Sequence, residues 1–326
     1  MPLGIFSKCQ PAPECGCLKQ REVFMKTVGV VGLGDMGSGL AKNLIGNGFQ
    51  TWGLDLSKDR MAQFEEMGGT PAHSPAEIGA QSDCVFVMVM NGDQAKSVIL
   101  GSDGLVANMS PDGTIILTAT IKPAEAQSIG RAMEGSGVHL IDSPVSGGFA
   151  GAQNGTLTMM AAADAAVLDA NASVMNAVSA TIHHVGTKAG DGQTMKACLQ
   201  TLIGSIFSAT FEASALAAKA GVPGGALLRV FSTSGAGCGV ANTALEHIID
   251  RQFEGTGSHI STMHKDLTIS LELASNLGVP MHTASAAMQI FQAGKSKYPD
   301  GDNWVCTRVI EDIVGAQLHR NPEGST

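Results

Sequence analysis

The sequence predicts an α/β fold in which a doubly wound parallel sheet is followed by an all-α half, the two joined by one long helix. Three observations predict it. From Thr27 onward, short β-branched runs alternate with longer segments of helical period, the pattern of a parallel sheet covered on both faces. A glycine-rich turn separates the first run from the first helix, and strand signals stop after Gly192. The candidate strands are Thr27 to Val31, Gln50 to Asp55, Cys84 to Met90, Thr114 to Thr118 and Val138 to Ile141. Leu157 to Ala162 and Thr181 to Val185 are further candidates, flanking an Ala-rich helix around Asp164 to Ala177. The long helix is read over Gln193 to Ala220, because Met195, Leu199, Leu202, Ile206, Ala209 and Ala213 recur at three- and four-residue spacing, and Gly221-Val222-Pro223 ends it. Ala226 to Phe231, Asn242 to Ile249, Lys265 to Leu277 and Thr283 to Ala293 follow with helical pattern and Gly or Pro between them. The expected division is an α/β domain over residues 25–188 and a helical domain over residues 189–320. Residues 1–24 read as an unstructured extension or an over-extended start.

Composition removes several classes of function. The 326 residues are ample for two domains. With 29 acidic against 20 basic residues, the net charge of −9 leaves no basic footprint for nucleic acid or an anionic membrane. Apolar runs such as Cys84 to Met90 fall far short of the roughly 18 residues of a membrane span. The seven cysteines are odd in number and scattered, so no disulfide framework is implied, and the first 24 residues lack the apolar stretch of a secretory signal. A cytoplasmic location is expected. Cys9, Cys15 and Cys17 lack zinc-ribbon spacing, His183-His184 has no carboxylate cluster beside it, and no metal is expected. The 16 methionines read as gap-fillers in apolar layers.

Gly32-Leu33-Gly34-Asp35-Met36-Gly37 is a G-x-G-x-x-G that leaves the first strand and opens a helix. Its first glycine permits the tight turn, its second lets backbone approach a pyrophosphate, and its third lets helix and strand pack closely, with the anion at the helix N-terminus. The second strand ends at Asp55, where a carboxylate can accept hydrogen bonds from both ribose hydroxyls. This context marks a Rossmann-like, dinucleotide-binding domain. Asp55 would repel a 2′-phosphate, so NAD is favoured over NADP; Leu56-Ser57-Lys58 places no Arg beside it, although Lys58 gives partial tolerance. The plainer reading of Asp55 is a loop cap.

Three further segments carry a family resemblance: Asp142-Ser143-Pro144-Val145-Ser146-Gly147-Gly148, then Gly186-x3-Gly190-x-Gly192-x3-Lys196-x3-Gln200, then Lys265-Asp266-Leu267. With the Gly32 motif, they resemble the β-hydroxyacid dehydrogenases, which include 3-hydroxyisobutyrate, tartronate-semialdehyde and L-threonate dehydrogenases, over residues 25 to about 318. The resemblance implies that Ser146, Gly147 and Gly148 bind the substrate carboxylate, which agrees with the anion affinity of consecutive unobstructed backbone N–H groups; the alternative is an ordinary tight turn. It implies that Lys196 is the catalytic lysine. Oxidising an alcohol requires removal of the hydroxyl proton, and a lysine acts as base near neutrality only if burial brings its pKa well below ~10.4. Gln200 lies one turn on, on the same face, where most family members have Asn; Gln resembles the L-threonate branch. Cys198 should face away from the cleft and pack.

Thr120 matches a position at the nicotinamide end, and Val89 and Met90 match cofactor-lining residues. Here the sequence departs from the family: the usual Leu-Pro is Val89-Met90, and the usual Ser-Thr is Ala119-Thr120. Lys265 matches a lysine that approaches the cofactor, and Asp266 is expected to orient that segment. The expectation is thus an NAD-dependent oxidoreductase acting on a small hydroxy acid. L-threonate ranks above 3-hydroxyisobutyrate and tartronate semialdehyde, and a homodimer or homotetramer forms through the helical half. Related imine reductases generally replace the lysine, so Lys196 argues against that chemistry. A non-catalytic dinucleotide-binding scaffold is the alternative from another class.

Overall fold

The computed structural model describes residues 26–321, so the readings of residues 1–24 and of Cys9, Cys15 and Cys17 lie outside the described residues. Nine strands form one sheet: β1 (Thr27–Val31), β2 (Gln50–Leu54), β3 (Thr70–Pro71), β4 (Cys84–Val87), β5 (Thr114–Leu117), β6 (His139–Asp142), β7 (Val145–Ser146), β8 (Leu157–Ala162) and β9 (Ser179–Gly186). Their order is β3-β2-β1-β4-β5-β6-β8-β7, with β9 also on β8. The first six strands are mutually parallel. Strand order reverses between β1 and β4, which opens a crevice at their carboxyl ends, the place where such sheets bind ligands.

The sheet departs from the expected all-parallel form beyond β6. β8 runs antiparallel to β6 and β7, and β9 parallel to β8. The link from Ser146 to Leu157 holds only the short helix Gly148–Gln153, too little chain for a parallel crossover, so the strand returns in the opposite direction.

Side chains of β1, β4 and β5 alternate between two buried layers. Val28, Val30, Cys84, Phe86 and Ile116 pack with Leu40 and Leu44 of the helix Asp35–Gly46. Val31, Val85, Val87, Ile115 and Leu117 pack on the other face with Ile78, Ile99 and Ile129. A sheet buried on both faces reads in sequence as near-continuous apolar runs, which is why these strands were visible. β4 nevertheless ends at Val87 and β2 at Leu54, so Met88 to Met90 and Asp55 lie in loops at the crevice rather than in strands.

The long helix covers Asp191–Lys219, two residues earlier than expected at its start. At about 1.5 Å per residue it is roughly 44 Å long. Helices Gly224–Thr233, Gly239–Ile249, Ile260–Leu277, His282–Lys297 and Cys306–Val314 gather around it. Their shared core holds Phe207, Phe211, Phe291 and Trp304, with Phe207 and Phe211 stacked at 6.0 Å and Trp304 edge-on to Phe207 at 5.7 Å. Length and composition alone would let the long helix cross a bilayer. Its inner face, however, buries Gln193, Lys196, Gln200, Ser208, Thr210 and Ser214 among protein groups.

Candidate active site

Two close approaches shape the site, one between the halves and one within the helical half. A Cβ on Gly192 would stand 2.6 Å from the carbonyl oxygens of Asp142 and Met160, so only glycine lets the start of the long helix rest on the end of β6 and on β8. A Cβ on Gly204 would meet Leu267 at 2.8 Å, which draws helix Ile260–Leu277 against the long helix and sets Asp266 beside Gln200.

At the sheet crevice, Gly32 has φ +91°, and a side chain there would strike the Met88 carbonyl at 2.2 Å. A Cβ on Gly37 would lie 1.8 Å from the Gly32 oxygen. Gly34 differs: its nearest neighbours are atoms of the Arg60 guanidinium at 3.8 Å, and no side chain caps the helix that begins at Asp35. An open glycine beside uncapped helix N–H groups fits a dinucleotide pyrophosphate. Asp55 accepts from Leu33 N at 2.7 Å and from Ser57 N at 2.9 Å, and each carboxylate oxygen keeps a lone pair for a ribose hydroxyl. Leu33 itself is buried, and Met36 packs on the core, so these two contribute backbone. The expectation that no Arg stands beside Asp55 is corrected: Arg60, in the first turn of helix Lys58–Glu66, places Nη1 3.6 Å from Asp55 Oδ2. Val89 lies beside Gly32, while Met90 is 62% exposed with its N–H donating to Gln94. Asp35 turns its carboxylate to His259 of the helical half at 3.0 Å.

Lys196 is 6% exposed, and its Nζ donates to the Val145 carbonyl at 2.8 Å. That carbonyl belongs to the peptide joining Val145 to Ser146, so the ammonium sits against the glycine-rich segment instead of open solvent. Gly147 and Gly148 have φ +130° and +59°, a left-handed backbone that favours glycine, and no atom would meet a Cβ on Gly148 within 4 Å. Burial lowers the Lys196 pKa from its ordinary value; the Asp266 carboxylate opposes that shift and the Lys265 ammonium reinforces it. Gln200 Nε2 donates to Asp266 Oδ2 at 2.6 Å. Lys265 Nζ lies 3.2 Å from Asp266 Oδ1 and donates to the Thr120 carbonyl at 2.6 Å. Thr120, Lys265, Asp266 and Gln200 therefore form one connected polar chain across the cleft, with Lys196 within electrostatic reach.

Sequence reasoning missed the clasp beneath this site. Gln193 is buried and ties three elements: its Nε2 donates to Ala119 O and to Asp142 Oδ1, and its Oε1 accepts from Ile121 N. Asp142 also accepts from Gly190 N at 2.7 Å. A further polar residue on the helix face of Lys196 and Gln200, three before Lys196, was the available signal. Burial pushes the Asp142 carboxyl up to about 6, against the hydrogen bonds from Gln193 and Gly190. Because the folded value is raised, the stability this group contributes is complete below the unfolded value near 4 and is lost as pH rises through about 6. Urea unfolding of wild type and Asp142→Asn across that range should show the wild type losing up to about 3 kcal/mol relative to the variant; parallel curves would refute the assignment.

Cys198 faces away from the cleft as expected, but it is exposed rather than packed. His183 and His184 lie within β9, where His184 Nε2 bonds the Ala163 carbonyl at 2.9 Å.

Comparison with known proteins gives the family. Residues 27–186 match the family described as the NAD binding domain of 6-phosphogluconate dehydrogenase. Residues 190–310 match the NAD-binding domain of NADP-dependent 3-hydroxyisobutyrate dehydrogenase. L-threonate dehydrogenase of Cupriavidus necator is 32% identical over 293 residues, covering 90% of this chain and 98% of that protein. A probable mitochondrial 3-hydroxyisobutyrate dehydrogenase of Dictyostelium discoideum is 32% identical over 89% of this chain and 91% of that protein. The crystal structure of 3-hydroxyisobutyrate dehydrogenase from Salmonella typhimurium superposes with a TM-score of 0.80 at 29% identity, covering 87% of this chain and 99% of that one. Fold and site define an NAD-binding oxidoreductase that acts on hydroxyl groups. Within that class, the chain belongs to the 3-hydroxyisobutyrate dehydrogenase-like, or β-hydroxyacid dehydrogenase, family.

Proposed function

We propose that this chain oxidises a small hydroxy acid, L-threonate at C2 foremost, with Lys196 as the proton acceptor. The observation that carries the reading is the buried Lys196 ammonium held on the Val145 carbonyl, adjoining Ser146, Gly147 and Gly148. The Ser146 hydroxyl and the N–H groups of Gly147 and Gly148 hold the carboxylate. The turn from Gly32 to Gly37 with Asp55, Val89 and Met90 holds the dinucleotide, NAD in preference because of Asp55. When bound, that cofactor supplies the acceptor for the hydride that leaves the substrate carbon. Lys196 Nζ removes the hydroxyl proton, which requires the neutral amine, and burial favours that form. Lys265 anchors Thr120 at the cleft edge. The site thus lies between residues 25–188 and residues 189–320, read as two domains.

Gln200 supports the choice among acids. Asp266 is an acceptor, so the Gln200 amide turns its NH2 toward it and its carbonyl oxygen the other way. A carbonyl acceptor on the face shared with Lys196 suits a substrate with an additional hydroxyl donor, which threonate has and 3-hydroxyisobutyrate lacks. The names of relatives such as the Cupriavidus necator enzyme point the same way. Gln200→Asn shortens the side chain by a methylene, and the ratio of kcat/KM for L-threonate over 3-hydroxyisobutyrate should fall by about tenfold. An absorbance screen of four-carbon and smaller hydroxy acids with NAD and NADP tests the whole reading. Turnover of 3-hydroxyisobutyrate or glycerate with NAD, or of tartronate semialdehyde with NADH, with no response to threonate overturns the ranking, and dinucleotide binding without any turnover favours a scaffold.

We also place a self-association surface on the outer side of the long helix. Met195, Leu202 and Leu216 are 45%, 59% and 72% exposed, and Cys198 shares their face, opposite the cleft side. Leu202→Glu with Leu216→Glu should convert a dimer or tetramer to monomer in light scattering; a monomeric wild type at micromolar concentration removes this surface.

A further inference from the structure

We propose that Arg60 is the residue by which this chain accepts the 2′-phosphate of NADP as well as the free ribose of NAD. The proposal rests on the dinucleotide reading of the Gly32 to Gly37 turn, and it adds a specificity residue that lies outside the strand end and the turn themselves.

Asp55 taken alone argues for NAD, since a carboxylate facing the ribose repels a phosphate there. Arg60 changes that balance without being consumed by it. Both Asp55 oxygens already accept backbone N–H groups, from Leu33 and Ser57, so the carboxylate is held in place without the arginine. The Arg60 Nη1 to Asp55 Oδ2 separation of 3.6 Å is an ion-pair distance beyond hydrogen-bond length, and the Arg60 side chain is half exposed. Arg251 and Arg320 contrast with it: each is locked on a carboxylate by two short hydrogen bonds, to Glu311 at 2.7 and 2.8 Å and to Asp250 at 2.6 and 2.5 Å. Among the described residues Arg60 donates no such bond, which leaves its fork of N–H donors available there.

Its position is also fixed from the backbone side. Arg60 N donates to the Ser57 cap, which seats the residue in the first turn of helix Lys58–Glu66. From there the guanidinium carbon and both terminal nitrogens lie 3.8 to 3.9 Å from where a Cβ on Gly34 would stand, so the group lays its face over the turn and spans from it to Asp55. Paired with Asp55, Arg60 cancels the charge that would exclude the phosphate. Moved to the phosphate, it offers the bidentate contact for which a planar guanidinium is suited.

The test is binding, read by nucleotide fluorescence for NADH and NADPH and by calorimetry for adenosine 2′,5′-bisphosphate and 5′-AMP. Wild type should bind both dinucleotides. Arg60→Gln should weaken NADPH and the bisphosphate by about tenfold or more, while NADH and 5′-AMP change by less than about threefold. Lys58→Gln is the companion variant and should show the smaller effect. Equal loss for NADH and NADPH, a larger loss on Lys58→Gln, or a wild type that binds NADH and refuses NADPH each overturns the proposal. A wild type that binds neither removes the dinucleotide reading and the proposal together.

Discussion

Lys196→Met is expected to lower kcat for hydroxy-acid oxidation by about 10²- to 10⁴-fold, the range that a positioned acid or base contributes, with NADH binding changed by less than about threefold. Methionine keeps the unbranched apolar stem in its buried place, so the variant removes the amine and little of the packing. Lys196→Arg should fail as fully, because a guanidinium keeps its proton in a protein. The pH profile separates proton transfer from a merely structural role. Oxidation requires the neutral amine, so its rate should rise with pH and level off at a pH below the ordinary lysine value, since burial lowers the Lys196 pKa. Reduction requires the ammonium and should fall over the same interval. Steady-state kinetics in both directions provide the check, and unchanged turnover in Lys196→Met would end the assignment of Lys196 as base.

What could be read from the sequence was local or periodic. The G-x-G-x-x-G lies within six residues and its conformational demands are those of its own backbone, so Gly32 and Gly37 behave in the fold as their spacing implied. Lys196 and Gln200 are one helical turn apart, and helix geometry alone puts them on one side. Apolar runs announced β1, β4 and β5 because both faces of those strands are buried. What escaped was long-range. Gln193 meets Asp142 across 51 residues, and Gln200 meets Asp266 across 66. Arg60 reaches Asp55 only because a helix turns back over the strand end, a proximity that five positions of sequence did not suggest. The reversal at β8 follows from a short connection whose consequence depends on which strand lies next to it. Cys198 looked like packing because a cysteine on an apolar helix usually packs; among the described residues it is exposed.

The second large effect comes from comparing two glycines of one motif. Gly34 has φ −66° and ψ −167°, a conformation open to any residue, and a Cβ there would meet only Arg60 at ordinary contact distance. Gly34→Ala should therefore fold with a melting temperature within about 2 °C of wild type. Its added methyl nonetheless occupies the space in which a pyrophosphate approaches the turn, so NADH affinity should fall by at least about tenfold. Gly37→Ala puts its methyl 1.8 Å from the Gly32 oxygen, where backbone must give way. Overpacking of that kind costs about 1 to 3 kcal/mol or more, and a fall in melting temperature of several degrees should accompany any loss of binding. Thermal melts and NADH titrations on the two variants separate close approach by a ligand from the needs of the turn. Gly34→Ala binding NADH as well as wild type would mean that no phosphate comes near Gly34, and the dinucleotide would have to be seated elsewhere in the crevice.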